Sequence, residues 1–258
     1  MKKFIVSVII AAFAFEGAAA WSTLGHETVV AIAQRHISKK TKENISKWFD
    51  YNLQKDARWM DTHRNDPDIA YTTAWHTYSV DSRHRYDPNP RLKKGDAIYA
   101  MQIADYNLRH YQELTDSAVV MNIRMLIHFA GDMHCPVHCY FEGIKTSGKR
   151  YLNGEEITSF HTLYDHMPEY LWPGMKPDDL AELLDDCGPA KRRRITRGTI
   201  LDWVHATADR CAPIYDINAP STKELAPDTV EKSRELVSLQ LRDAGYRLAY
   251  LLDKYFGK

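Results

Sequence analysis

No run of apolar residues in this 258-residue chain is long enough to cross a bilayer as a helix, which takes about 18 or more. The nearest candidate, from Phe4 to Phe15, covers only about a dozen residues and has the flanks of a secretory leader. Lys2 and Lys3 precede it, and Ala18-Ala19-Ala20 follows, with small residues where signal peptidase needs them. No cysteine beside that cut offers a lipid anchor. Residues 1–20 are therefore expected to be removed, and 21–258 to be exported, secreted or periplasmic, without stable membrane association. Neither sign of charge is in excess, since 34 Lys and Arg face 34 Asp and Glu. Loss of Lys2, Lys3 and Glu16 leaves 32 basic and 33 acidic side chains. That balance excludes an extended basic groove for duplex nucleic acid. It leaves room for a small site whose positive charge comes from bound metal ions.

Repeats, low-complexity tracts and linkers are also missing, and no run alternates as a long strand. Apolar residues instead recur at intervals of three and four, predicting helices over 31–37, 44–61, 97–113, 118–133, 159–170, 177–186, 196–211 and 229–256. The stripe of the fourth is Val119, Ile123, Leu126, Ile127 and Ala130; that of the last is Leu236, Leu241, Leu248 and Leu252. Asp87-Pro88-Asn89-Pro90, Pro136, Pro173-Gly174, Gly188-Pro189, Pro213 and Pro220 punctuate the gaps. At most a small hairpin is expected, at 78–80 or 151–157. The fold class is all-α: one compact multi-helix domain over 21–258. Lys191-Arg192-Arg193-Arg194 reads as a solvated turn. The four cysteines leave the choice between bridges (Cys187 with Cys211, Cys135 with Cys139) and reduced thiols open, and the spacing of Cys135 and Cys139 also suits a soft metal site.

What is abundant is histidine with aspartate. Residues 128–138 read His-Phe-Ala-Gly-Asp-Met-His-Cys-Pro-Val-His. His128 and Asp132 lie one turn apart on one helix face, and Pro136 breaks the helix so that His138 approaches from another direction. His161 and Asp165 repeat the four-residue spacing. One such pair looks like a surface ion pair; two, together with His138, Trp21 and His26, are hard to explain as coincidence, and imidazole with carboxylate is the donor set zinc takes in catalytic sites. Asp61 and His76 lie between these elements. Cleavage before Trp21 would add an α-amine, which at neutral pH can lose its proton and chelate a metal together with the Trp21 carbonyl. His26 follows five residues on.

Trp21 with His26, Trp59-Met60-Asp61-x-x-Arg64, Trp75-His76, the 128–138 segment and His161-x-x-x-Asp165 occur in an order that resembles the S1/P1 nuclease family. These are secreted zinc nucleases that prefer single strands. The resemblance runs from Trp21 to Asp165 at least, and implies an all-α fold holding three zinc ions. Asp61, His76, His128 and Asp132 would bind the first; His138, His161 and Asp165 the second. Trp21, His26 and a shared Asp132 would bind the third. Implied with them are a metal-activated hydroxide, hydrolysis of single-stranded DNA, RNA and 3′-nucleotides to 5′-phosphate products, and Arg64 on the phosphate. The working form expected is a monomer.

Zinc-dependent phospholipase C enzymes share this ligand logic and are the alternative. The short Trp21–His26 spacing, the 23 residues between His138 and His161, and Asp165 in place of a glutamate favour the nuclease side. A family aspartate that orients the attacking water is replaced by Ser79, the nearest acid being Asp81. A zinc-binding homologue with reduced or lost catalysis is therefore a further alternative. Tyr78, Tyr140, Phe141, Tyr151 and Tyr164 are candidates to stack on an unpaired base. His134 is expected to support the ligands from behind, and His36, His84, His110, His166 and His205 to lie at the surface.

Overall fold

The computed structural model describes residues 21–50, 52–88, 95–144, 147–217 and 224–258; the leader, the 89–90 turn and Pro220 fall outside them. Its first helix, α1 (Thr23–His36), begins well before residue 31. It buries every position from Leu24 to Ala33 except Glu27, so it has no polar face whose alternation could mark its start. The expected helix over 44–61 is broken instead into α2 (Lys39–Ile45), a 3-10 turn at Leu53–Asp56, and α3 (Trp59–His63). Ile45, Phe49, Leu53, Ala57 and Met60 are all buried, so the periodicity reported burial correctly. The chain breaks because Ser46 Oγ donates to Glu43 O and Asn52 Oδ1 accepts from Gln54 N, and such local bonds compete with the helical ladder.

Strand β1 (Tyr78–Val80) leads to α4 (Ala97–Leu108), which Asp96 caps at Tyr99 N; residues 111–113 form a separate 3-10 turn. Helix α5 (Asp116–Asp132), capped by Thr115, buries its whole predicted stripe. A 3-10 turn with Pro136 at its start then runs into β2 (Cys139–Phe141). Strands β3 (Ser147–Leu152) and β4 (Glu155–Ser159) form the hairpin expected at 151–157. Its turn is Asn153-Gly154, both at positive φ, the combination a tight two-residue hairpin requires.

The helix expected over 159–170 is split at His166 into α6 (Phe160–Asp165) and α7 (Met167–Leu171). After α8 (Pro177–Leu184), the basic run forms a helix, α9 (Pro189–Ile195), rather than a turn; none of its residues is buried. Helix α10 (Ile200–Cys211) starts on a Thr199–Asp202 capping box, and α11 (Pro213–Ile217) follows. The 30-residue α12 (Pro227–Phe256) is about 45 Å long and packs most extensively on α1. Gly245 permits that approach: a Cβ there would come within 2.5 Å of Ile32 Cγ2.

The pairing of β1 with β2 is parallel, Tyr78 opposite Cys139 and Val80 opposite Phe141. Neither β2 nor this pairing was expected. It sets the upstream ends of the two strands side by side, so His138, directly before β2, and His76, two residues before β1, converge above the C-terminus of α5. All four cysteines are free and buried, which settles the sequence's open choice as thiols.

Candidate metal centre

Six elements deliver the predicted ligands to one place: His26 from α1, Asp61 from α3, His76 from the turn before β1, His128 and Asp132 from α5, His138 from the turn before β2, and His161 with Asp165 from α6. Trp21 lies just ahead of α1, wholly buried, with its indole N–H donating to Gly131 O at 3.0 Å. The next residue's N–H donates to Asp165 O at 2.8 Å, so the segment is pinned here by one side-chain and one backbone bond.

Asp132 is the hub. Its Oδ2 lies 3.0 Å from His76 Nδ1 and 3.3 Å from His128 Nε2. Its Oδ1 lies 3.5 Å from His26 Nε2 and 3.6 Å from His138 Nδ1. Asp61 Oδ1 closes the first side at 3.7 Å from both His76 and His128. On the other side His138 Nε2 lies 3.5 Å from Asp165 Oδ1, and His161 Nε2 3.3 Å from Asp165 Oδ2. Among the described residues, three groups of donor atoms are mutually close enough for one ion each: Asp61 with His76 and His128; His26 with His128 and Asp132; and Cys135 with His138 and Asp165. His161 reaches the third through Asp165 and by stacking on His138, with ring centroids 5.2 Å apart.

The donors fit dications. Both ring nitrogens of His26 and of His138, both oxygens of Asp61, His76 Nε2 and Asp132 Oδ1 are buried without a hydrogen-bond partner. Such orphaned atoms are rare in folded proteins and costly; coordinate bonds would satisfy them together. His128 Nδ1–H donates to Ala57 O at 2.9 Å, which aims Nε2 at the carboxylates. Burial alone would lower His128, yet the charges of Asp132 and Asp61 outweigh it and hold the ring up at about 9. Asp132 goes the opposite way: despite burial, His128 and its neighbours keep it well below the usual carboxylate range. Burial pushes His138 down to about 3 and His161 to about 4, so both present neutral imidazoles. Asp165 is driven well above its ordinary value by burial and by the charges of Asp132 and Asp61: three carboxylates are crowded together, and a bound cation would relieve their repulsion.

Several roles fall elsewhere than the sequence suggested. His134 turns its ring away from the hub, donating through Nδ1 to Ala130 O at 2.7 Å and meeting Arg247 Nη1 at Nε2, also 2.7 Å. It therefore ties α5 to α12 and touches no ligand. Arg58 lies 3.7 Å from Asp61 Oδ2 and is held by Thr23 Oγ1 at 2.7 Å; its place one turn before Asp61 was the available signal. Arg64 is half-buried at the end of α3. Ser79 is half-buried opposite Tyr140, while Asp81 Oδ1 accepts from the N–H groups of Arg83 and Arg85, so that acid is committed to a turn. Of the stacking candidates, Tyr78 and Tyr164 are fully buried, whereas Tyr140 is 37% exposed beside His161. His36, His84, His110, His166 and His205 are all outside the core.

Gly131 is a requirement that the sequence did not reveal. A Cβ there would sit 2.7 Å from His26 Nδ1, and His26 is itself stacked on His128 at 4.2 Å. Gly131→Ala is expected to destabilise the protein by about 1–3 kcal/mol through overpacking, more than the helix propensity it gains. An unchanged thermal midpoint with unchanged metal content would contradict the packing just described.

Comparison with known proteins agrees with the sequence resemblance. A family model described as S1/P1 Nuclease matches residues 21–257. Nuclease S1 of Aspergillus oryzae (strain ATCC 42149 / RIB 40) is 24% identical over 273 aligned residues, covering 90% of this chain and 91% of that protein. Endonuclease 4 of Arabidopsis thaliana is 25% identical over 185 residues, 65% of this chain and 61% of its own length. Endonuclease 3 of the same plant is 26% identical over 181 residues, 65% and 60% respectively. The match thus spans less than two thirds of either plant protein.

Proposed function

This chain belongs to the S1/P1 nuclease family, and on that premise we propose that it is an exported, zinc-dependent phosphodiesterase that hydrolyses single-stranded DNA or RNA, and 3′-nucleotides, to products ending in 5′-phosphates. Three zinc ions are assigned: one to Asp61, His76, His128 and Asp132; one to His138, His161 and Asp165; one to Trp21, His26 and Asp132. The observation that carries this is the division of Asp132, one oxygen turned to His76 and His128 and the other to His26 and His138. A carboxylate so shared would be able to serve two ions, one through each oxygen.

Bound zinc would supply a water acidified from about 16 towards 7 and positive charge for a phosphoester. The chain's own residues do the rest. Ala57 O, accepting from Nδ1–H, fixes the direction of His128 and leaves Nε2 facing the Asp132 carboxylate. Arg64, and Arg58 beside Asp61, bring guanidinium forks suited to phosphate oxygens. Tyr140, at the rim next to His161, offers a face for an unpaired base. Replacing it in Tyr140→Ala should raise KM for single-stranded DNA by about 5- to 100-fold, since stacking is worth about 1–3 kcal/mol per base, and leave kcat within about twofold. Initial-rate kinetics at several DNA concentrations would show the split; an unaltered KM removes the tyrosine from the site.

The decisive experiment is metal analysis of the purified, leader-free protein together with assays on single-stranded DNA, duplex DNA and phosphatidylcholine vesicles. Three zinc ions per chain and cleavage confined to the single strand are expected. Lipid turnover would shift the assignment to a phospholipase C, and three bound ions with no turnover to a homologue that has lost catalysis. Chelation should abolish activity and lower the thermal midpoint by on the order of 10 °C, the shift that several kcal/mol of ligand binding gives a domain of this size.

A further inference from the structure

The ligand set above leaves one donor unused. Cys135 is completely buried, and its Sγ, a ring nitrogen of His138 and an Asp165 oxygen all lie within 4.8 Å of one another. Its Sγ–Oδ1 distance to Asp165 is 3.9 Å, and Asp165 Oδ1 lies 3.5 Å from His138 Nε2. Ligand atoms around a tetrahedral zinc, with bonds of about 2.3 Å to sulfur and about 2.0 Å to nitrogen and oxygen, stand roughly 3.3–3.6 Å apart. The Sγ–Oδ1 and Oδ1–Nε2 separations lie within tenths of an ångström of that shape, and the sulfur and the His138 ring nitrogen are no more than 4.8 Å apart. The backbone explains the convergence: Cys135 caps the 3-10 turn that ends at His138, whose N–H donates to Cys135 O at 3.1 Å, and side chains three apart eclipse in such a turn. A second, independent observation points into the same space. His138 is 1% exposed and both its ring nitrogens lack a hydrogen-bond partner.

The geometry points to Cys135 as a sulfur ligand of the second metal ion, completing His138, His161 and Asp165 as a four-donor site. On metal uptake the Sγ–H proton is displaced to solvent and the thiolate binds. A sulfur donor makes this ion distinct from the other two, whose proposed donors are all nitrogen and oxygen, and biases it towards softer cations. This assignment rests on the metal-binding reading above.

Zinc X-ray absorption of the leader-free holoprotein reads the donor directly, without any variant. A sulfur neighbour at about 2.3 Å, averaging one per three zinc ions, is the expected result. Cobalt substitution gives a second readout: a sulfur-to-cobalt charge-transfer band in the near ultraviolet, lost in Cys135→Ser, with affinity for one ion of the three reduced at least about 10-fold. Three bound ions with no sulfur neighbour would overturn the assignment while leaving the three-zinc reading intact, Cys135 then being a thiol donor to Asp165. A band that survives in Cys135→Ser would likewise reject it. Absence of any bound metal would overturn both.

Discussion

Asp132→Asn should leave a protein that folds but binds at most one of the three proposed metal ions and loses about a thousandfold or more in nuclease activity. The substitution preserves shape and removes the negative charge that four histidines share: His76 and His128 on Oδ2, His26 and His138 on Oδ1. Metal catalysis contributes several kcal/mol of transition-state stabilisation, and each 1.36 kcal/mol is tenfold in rate, so loss of two ions at once accounts for the size of the effect. The same change at Asp165, whose carboxylate faces His138, His161 and Cys135, should cost one ion rather than two. Elemental analysis and circular dichroism on both variants, beside the assay, separate loss of metal from loss of fold. An Asp132→Asn protein that keeps three ions would end the assignment of this carboxylate as a bridge.

The second large effect concerns the N-terminus. A protein that retains even one residue before Trp21 is expected to hold two metal ions instead of three and to lose about 100-fold in activity, the weight of a single strong electrostatic contact in a transition state. The added residue turns the Trp21 nitrogen into an amide, which has no lone pair to offer. It has little room to be accommodated elsewhere, because Trp21 is fully buried and its neighbour's N–H is bonded to Asp165 O. Comparing the protein cut immediately before Trp21 with one carrying a single extra alanine is the direct test. Equal metal content and equal turnover from the two would exclude the terminal amine as a ligand, and with it the third site as proposed.

Histidine 134 and arginine 58 show where the reading of the chain stopped. Both lie within one turn of a predicted ligand, at spacings that place them near the site. The spacing does not say which way each ring or guanidinium turns. His134 is taken by Arg247 and Ala130 O, from elements remote in sequence, while Arg58 is steered to Asp61 by Thr23. Cys135 is a similar case: flanked by Asp132 and His138, it was visible as a cysteine among ligands, but bridge, metal site and buried thiol were equally compatible with it.

The amino-acid sequence by itself determined the helical class and the apolar stripes of α5 and α12, offered 151–157 as one of two places for a hairpin, and pointed to nine residues as candidate ligands. These are local properties, since periodicity, turn chemistry and i,i+4 spacing are written within one element. Only the tertiary structure decided that β1 and β2 pair in parallel to bring His76 and His138 together, that Asp132 divides its two oxygens, that Gly131 makes room for His26, and that Cys135 joins His138 and Asp165. Each of these depends on packing between segments far apart in the chain, and no pattern confined to a single segment encodes the direction from which another will approach it.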